Sequence, residues 1–373
     1  MKTFARSLIK IVIFVGAPSI SSCLDVATGR ARRDLEIGRS DAAGVHVEVD
    51  GGLAAVRSLD GDKLHLWASA PSLSFRIDRP GQAIGSVFRV RIENVLDDAR
   101  LTATSSAMEA LAVTEVESPH PTERTWEFPF PASDSVKLEL RAPDVSLDEP
   151  WRFAVYADVQ EALGNVQDIY AKMNETPKIR FALISGDLTS QGTVDQLEEF
   201  QSAMKILKFP CFATLGNHEL GTRDDLYHDY FGRGNYSFVF RDVRFTMLDS
   251  ASATIDPLVY SWLDDWTNAG REGLHVVTMH IAPIDPVGAR NGSFASRGEA
   301  DKLLMKLARG NVDLTLYGHV HSFYAFENAA IPAFISGGGG AIPERMDGIG
   351  RHFLTVDIKP PQTIEQVAVV RVD

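Results

Sequence analysis

Residue types able to hold a divalent cation recur in the second half of this 373-residue chain, each where a run of apolar, strand-like residues stops. In order they are Asp158-Val-Gln160, Gly186-Asp187, Gly216-Asn217-His218-Glu219, His280 and Gly318-His319-Val-His321. Carboxylate, amide and imidazole donors without a thiolate suit Mn, Fe, Zn or Ni and do not select among them. The spacing supports a shared site: Asp158, Asp187 and Asn217 follow one another at 29 and 30 residues, about one strand–helix–strand unit each. On an extended segment residues i and i+2 point to the same side, so Asp158 with Gln160, and His319 with His321, can reach one pocket. The neighbours Asn217 and His218 point differently, which suits one to a metal and the other to a substrate.

The runs that must position these residues are 153–156, 181–184, 212–215, 276–279 and 314–317. They alternate with helical segments, one of which places Leu197, Phe200, Met204 and Leu207 on a single face. This pattern predicts a layered α/β domain over 151–373, with ligands beyond the carboxyl ends of its strands. Residues 44–142 read differently. Val45, Val47 and Val49 alternate with polar residues, as do Phe88, Val90 and Ile92, and Val136, Leu138 and Leu140. Period-two patterning broken by turn signals such as Asp60-Gly61 and Pro80-Gly81 predicts an all-β sandwich. Two prolines and three acids over 142–150 mark the linker, 143–150. The sandwich has no catalytic cluster; His65, His120 and Trp67 read as packing or surface residues.

The five ordered blocks resemble the calcineurin-like metallophosphoesterase superfamily, whose pattern is D-x-H, G-D, G-N-H-[DE], a lone His and G-H-x-H. The likeness spans 151–358 and includes His280-Ile-Ala-Pro283 and the glycine run after Ser336. It implies two divalent cations. Asp158, Gln160, Asp187 and His321 would hold the first, and Asp187, Asn217, His280 and His319 the second, with Asp187 bridging. His218 would face the substrate as proton donor or charge stabiliser, oriented by Glu219. Cations about 3.5–4 Å apart polarise phosphoryl oxygens and activate a bridging water for in-line attack. The implied activity is hydrolysis of a phosphate mono- or diester, of a small molecule or a lipid. The chain departs from the pattern at Gln160, where the family has histidine. An amide oxygen can ligate but is a harder, weaker donor than imidazole, so the first cation would be held less tightly or shift toward Mn or Fe. Gln160 also keeps a second reading open, a catalytically retired domain acting as a binding module. Gly337–Gly340 either offers N–H groups to phosphate or makes a tight turn beside the site, and Arg290 is a candidate phosphate contact. The histidines at 46, 65, 120, 228, 275 and 352 read as structural or surface residues.

Charge and termini bound the setting. The chain carries −13, and since the first 22 residues hold three bases and no acid, the remainder carries −16. An acidic body lacks the basic stripe that nucleic acid requires. Lys2, Arg6 and Lys10, the run Ile11-Val-Ile-Phe-Val15 and the small residues that follow have the anatomy of an export signal over 1–22. Ile20-Ser-Ser-Cys23 resembles a bacterial lipobox, which implies lipidation of Cys23 and a cell-envelope lipoprotein anchored to a membrane it does not cross. Residues 23–43 then read as a flexible tether. Cys211, opening an apolar run, reads as a buried small hydrophobe.

Overall fold

In the computed structural model the described residues are 21–81, 86–132, 134–221, 223–288 and 292–372, with side chains described from Ala27. The described residues form four sheets. The period-two stretches form two of them: one of six strands in the order Arg39–Ala42, Val45–Val49, Leu73–Asp78, Ser135–Arg141, Arg100–Ser105, Ala110–Leu111, and one of five. Alternation explains their packing. Val45, Val47, Phe75, Ile77, Phe88, Val90, Ile92, Leu138 and Leu140 all point inward and share one core, while the residues between them face solvent.

The α/β half is built on two further sheets. One orders Cys211–Ala213, Ile179–Ile184, Trp151–Tyr156, His352–Lys359 and Thr363–Arg371. The other orders Tyr236–Phe240, Val243–Leu248, His275–Met279, Leu314–Tyr317, Ile331–Ser336 and Phe323–Asn328. In each sheet the strands that end at the site pair in parallel and, apart from the half-buried Arg152 and Arg180, are buried, as continuous apolar runs require. Aromatic side chains fill the space between the sheets: Phe181 and Phe153 each meet Phe245 edge-on at 5.2 Å. The helix Val194–Met204 covers the outer face through Leu197, Phe200 and Met204, and Thr193 caps its N-terminus.

The two halves are joined by buried polar contacts. Asn94 donates to the Ala68 and Cys211 carbonyls and accepts from the Cys211 N–H. Asp144, inside the linker, accepts from both Arg180 and Arg241. Cys211 is buried.

One expectation is corrected. The stretch 23–43 is not a loose tether: it begins in a helix, Ser21–Asp34 (α1), and continues into a strand of the sandwich. Arg30, 2% exposed, donates to Asp249 at 2.7 Å, and the fully buried Asp34 carboxylate accepts from Gly234 N–H, Asn235 N–H and the Asn235 amide. Composition suggested a linker because the segment is rich in Gly, Ala and Arg, but two charged residues find buried partners more than two hundred positions away. Residues 1–20 of the expected export signal over 1–22, and the side chain of Cys23, lie outside the described residues. Among the described residues no helix is long and apolar enough to cross a membrane.

Candidate metal centre

The predicted ligands converge where strands of both sheets end. Asp158 and Gln160 follow Trp151–Tyr156, Asp187 follows Ile179–Ile184, Asn217 follows Cys211–Ala213, His280 follows His275–Met279, and His319 and His321 follow Leu314–Tyr317. Donor atoms of Asp187, His280 and His319 all lie within 4.8 Å of one another, and so do those of Asp158, Asp187 and His321. Asp187 belongs to both groups. Asn217 joins the first, its Oδ1 3.1 Å from His280 Nε2, and Gln160 joins the second, its Nε2 2.7 Å from Asp187 Oδ2 and 3.3 Å from His321 Nε2.

Main-chain carbonyls aim the imidazoles. His280 Nδ1 lies 2.7 Å from the Ser185 carbonyl, and His321 Nδ1 lies 2.6 Å from the Ile342 carbonyl. A carbonyl can only accept, so each Nδ1 carries the hydrogen and, in the neutral ring, each Nε2 lone pair points into the site. The loops are equally constrained. Asp158, Gln160, Asp187 and His319 all have positive φ, between 46° and 70°, a region non-glycine residues avoid. Glycines make room between them: a Cβ at Gly216 would fall 2.0 Å from Asp187 Oδ1, and one at Gly318 would fall 2.9 Å from Asp158 Oδ2. The glycine run serves the same end, since the Gly337 and Gly339 N–H groups donate to the Ser322 and Ala157 carbonyls and are not turned toward a ligand. It is a tight turn.

The electrostatics call for positive charge. Asp158 and Asp187 are buried within one pocket. Burial would raise the Asp187 carboxyl, but His280 and His218 hold it below the usual carboxylate range. Burial likewise would lower His280, yet the charge of Asp187 and a hydrogen bond to it push it up to about 9. In the metal-free protein a proton thus supplies charge that a cation would bring. Converging oxygen and nitrogen lone pairs, glycine-made space and this demand for charge fit divalent metal.

Around the centre, one role differs from expectation. Glu219 does not orient His218. Its buried carboxylate accepts from Asp187 N–H, Gly216 N–H and Thr189 N–H, each at 2.9 Å, and so ties the metal-bearing loops together. His218 is positioned instead by the Ser190 carbonyl, 2.7 Å from Nδ1, which leaves Nε2 facing the site 3.9 Å from Asp187 Oδ2. Sequence offered no sign of Ser185, Ser190 or Ile342, because their carbonyls act and not their side chains. Arg290 lies outside the described residues. A cleft of about 1150 Å³ lined by Leu274, Asp313, Leu314, Pro332, Phe334 and Val367 opens at the amino ends of the strands, away from these groups.

A family model described as calcineurin-like phosphoesterase matches residues 152–323, the stretch that supplies all seven converging side chains. That stretch is a calcineurin-like phosphoesterase domain. The chain is accordingly a phosphoesterase, a metal-dependent hydrolase of phosphoric esters. A solved structure shares its fold at low identity, and others align less closely. A purple acid phosphatase from yellow lupin (Lupinus luteus) seeds aligns with a TM-score of 0.50 and 12% identity over 81% of this chain and 72% of its own. PhoD aligns with a TM-score of 0.49 and 12% identity over 81% and 87%, and a dimetal phosphatase from Danio rerio with 0.47 and 14% over 61% and 100%. No curated protein matches the chain. In the phosphoesterase domain Asn217, His218 and His319 are half-buried while Asp158, Gln160, Asp187, His280 and His321 are buried, so the centre is approached from the side of the first three.

Proposed function

We propose that the protein hydrolyses phosphate mono- or diesters with two divalent cations, one held by Asp158, Gln160, Asp187 and His321 and the other by Asp187, Asn217, His280 and His319. The observation that carries this reading is the pair of donor groups sharing Asp187. When bound, such cations polarise a phosphoryl group and activate water for attack. Asp187 lies between the two donor groups and fixes their separation. Gln160 now turns its N–H to Asp187; a half-turn of the amide places its oxygen at the same point, so the position suits a ligand. His218, held at Nδ1 by the Ser190 carbonyl, presents Nε2 to the esterified oxygen and donates the proton that the departing alkoxide needs.

The substrate is a phosphorylated small molecule or lipid. The leader-like residues 1–22 and the lipobox resemblance at Cys23 support export and attachment to the cell envelope by a lipid anchor; radiolabelled fatty acid should enter the wild-type protein and not Cys23→Ser. The replacement of histidine by Gln160 favours a second reading, a retired domain that binds a ligand without turnover. Purified protein given Mn and a chromogenic phosphate ester separates the two. Turnover abolished by Asp187→Ala, and reduced by His218→Ala with metal content retained, supports the hydrolase; inactivity with mono- and diesters across Mn, Fe, Zn and Ni supports the binding module.

A further inference from the structure

The helix α1 meets the phosphoesterase domain at a turn that contains no metal ligand. The turn, Asp249-Ser250-Ala251-Ser252, follows the strand Val243–Leu248, and the Ala253 N–H closes it by donating to the Ser250 carbonyl. Asp249, Ser250 and Ala251 are buried. Arg30 grips this turn at both ends. Its Nε donates to Asp249 Oδ2 at 2.7 Å, and its Nη2 donates to Asp249 Oδ1 at 3.3 Å and to the Ser252 hydroxyl at 2.9 Å. A planar guanidinium suits a carboxylate and a neighbouring hydroxyl together, and an ion pair so far removed from water is costly to break. Asp34 reaches the same turn through Asn235, whose amide N–H it accepts and whose Oδ1 accepts from the Asp249 N–H.

The turn in its own right holds a ligand-bearing segment. Ser250 Oγ accepts from the Ile281 N–H at 2.8 Å. Ile281 follows His280, whose Nε2 lies 3.2 Å from Asp187 Oδ2. The Ser185 carbonyl at His280 Nδ1 sets the rotation of the ring, whereas the bond to Ile281 sets the main chain from which the ring departs. Arg30 also reaches toward the proton donor: its Nη1 lies 3.7 Å from Asp224, on the loop that leaves Asn217–Leu220. His321 is held from elsewhere, by the Ile342 carbonyl and the Glu344 N–H.

We propose that Arg30 is a positioning residue of the metal centre: through Asp249 and Ser250 it fixes the main chain at His280, and so sets the affinity of the donor group Asp187, Asn217, His280 and His319 while leaving the group that contains His321 unaffected. The proposal rests on the two-cation reading above. It makes α1 a working part of the centre, although the helix lies outside the stretch 152–323 that the family model matches.

Two measurements on the full chain test it. The first is amide hydrogen exchange of the metal-free protein, comparing residues 279–283 with 314–317. In Arg30→Gln, and in Ser250→Ala, exchange at 279–283 should rise roughly tenfold, as for the loss of one hydrogen bond, with 314–317 unchanged. The second is calorimetric Mn titration in two backgrounds, His321→Ala and His280→Ala. Arg30→Gln should weaken Mn binding about tenfold in the first and leave it unchanged in the second, the low end of what a ligand's supporting residues contribute. Equal losses in both backgrounds, or faster exchange throughout the chain, would reduce Arg30 to a general stabiliser and overturn the proposal; so would unchanged exchange at 279–283. Where Arg30→Gln does not fold, Arg30→Lys takes its place, since it keeps a cation beside Asp249 but loses the fork. Should neither background bind Mn, the two-cation reading fails, and the exchange comparison alone decides whether Arg30 braces His280.

Discussion

Glu219→Gln probes how the centre is built, because it alters hydrogen bonding and charge while keeping shape. The carboxylate accepts four hydrogen bonds, Oε2 from Asp187 N–H and Gly216 N–H, and Oε1 from Thr189 N–H and the Thr189 hydroxyl. The new NH2 cannot accept. Facing Asp187 and Gly216 it would strand two N–H groups; facing Thr189 it strands one, since the hydroxyl can turn to accept. The second arrangement is cheaper, and one stranded buried donor costs roughly 1–3 kcal/mol. Burial first and repulsion by Asp187 second push the Glu219 carboxyl upward, and relief of that cost moves the expected loss toward the low end. Metal affinity should suffer more than stability. The variant loosens the loop that carries Asp187 and removes a negative charge beside it, and partners of this kind are worth roughly 10–100-fold in metal affinity. Urea unfolding followed by tryptophan fluorescence reads the first quantity, and calorimetric Mn titration the second. A variant as stable as the wild type that binds Mn as tightly would refute the assignment of Glu219 as the knot between the loops.

Acid should destabilise the protein through His275, which burial first and Arg244 second push down to about 3 from 6.5. The unfolded chain therefore takes up the proton first, so stability present above pH 6.5 is lost as pH falls, by about 2 kcal/mol between pH 7 and pH 5. His275→Gln should remove that part of the slope in urea titrations at the two pH values, and equal slopes would contradict it. Gly318→Ala places a methyl 2.6 Å from Ala157 Cβ and 2.9 Å from Asp158 Oδ2, so roughly 1–3 kcal/mol of stability and most bound metal should be lost; full metal content by elemental analysis would count against the close approach. Asp34→Ala strands the Gly234 and Asn235 N–H groups and should lower stability by roughly 2–6 kcal/mol, whereas an unchanged urea midpoint would mean that α1 is undocked in solution. Gln160→His exchanges an amide for an imidazole and should tighten the weaker of the two metal-binding steps in a calorimetric titration, an effect that would be missing if position 160 does not ligate.

What could be read from sequence, and what could not, follows from which part of a residue does the work. Asp158, Asp187, Asn217, His280, His319 and His321 act through their side chains, and their order along alternating strands and helices is enough to bring them together. The sandwich was legible for the same reason, since Val45, Val47 and Val49 declare their faces by period alone. Glu219 was misjudged because adjacency to His218 suggests contact, yet neighbouring residues on a tight turn point apart, and its carboxylate goes to main-chain donors. The tether was misjudged because a segment rich in Arg and Gly looks solvated, while Arg30 and Asp34 meet their partners only after Asn235 and Asp249 have been placed by another sheet.

The same distinction bears on whether cations assemble the centre or find it ready. Four of its residues hold left-handed backbone, at a cost of about 1–2 kcal/mol each for side chains other than glycine. Such conformations persist only where surroundings enforce them. Protein bonds hold three of the four, Asp158, Asp187 and His319: the Asp158 and Val159 N–H groups donate to the Gly186 and Asp187 carbonyls, the Asp158 carboxylate accepts from His319 N–H, and Glu219 fixes Asp187. None of these bonds uses an Nε2 lone pair of His280 or His321. For these three residues strain and its compensation are therefore both internal to the polypeptide, and on the proposed reading the donors are placed before a cation arrives. On that reading affinity depends on donor type, which would make position 160 the weak point of the first group, and on charge, which would make Asp187 the residue the whole centre answers to.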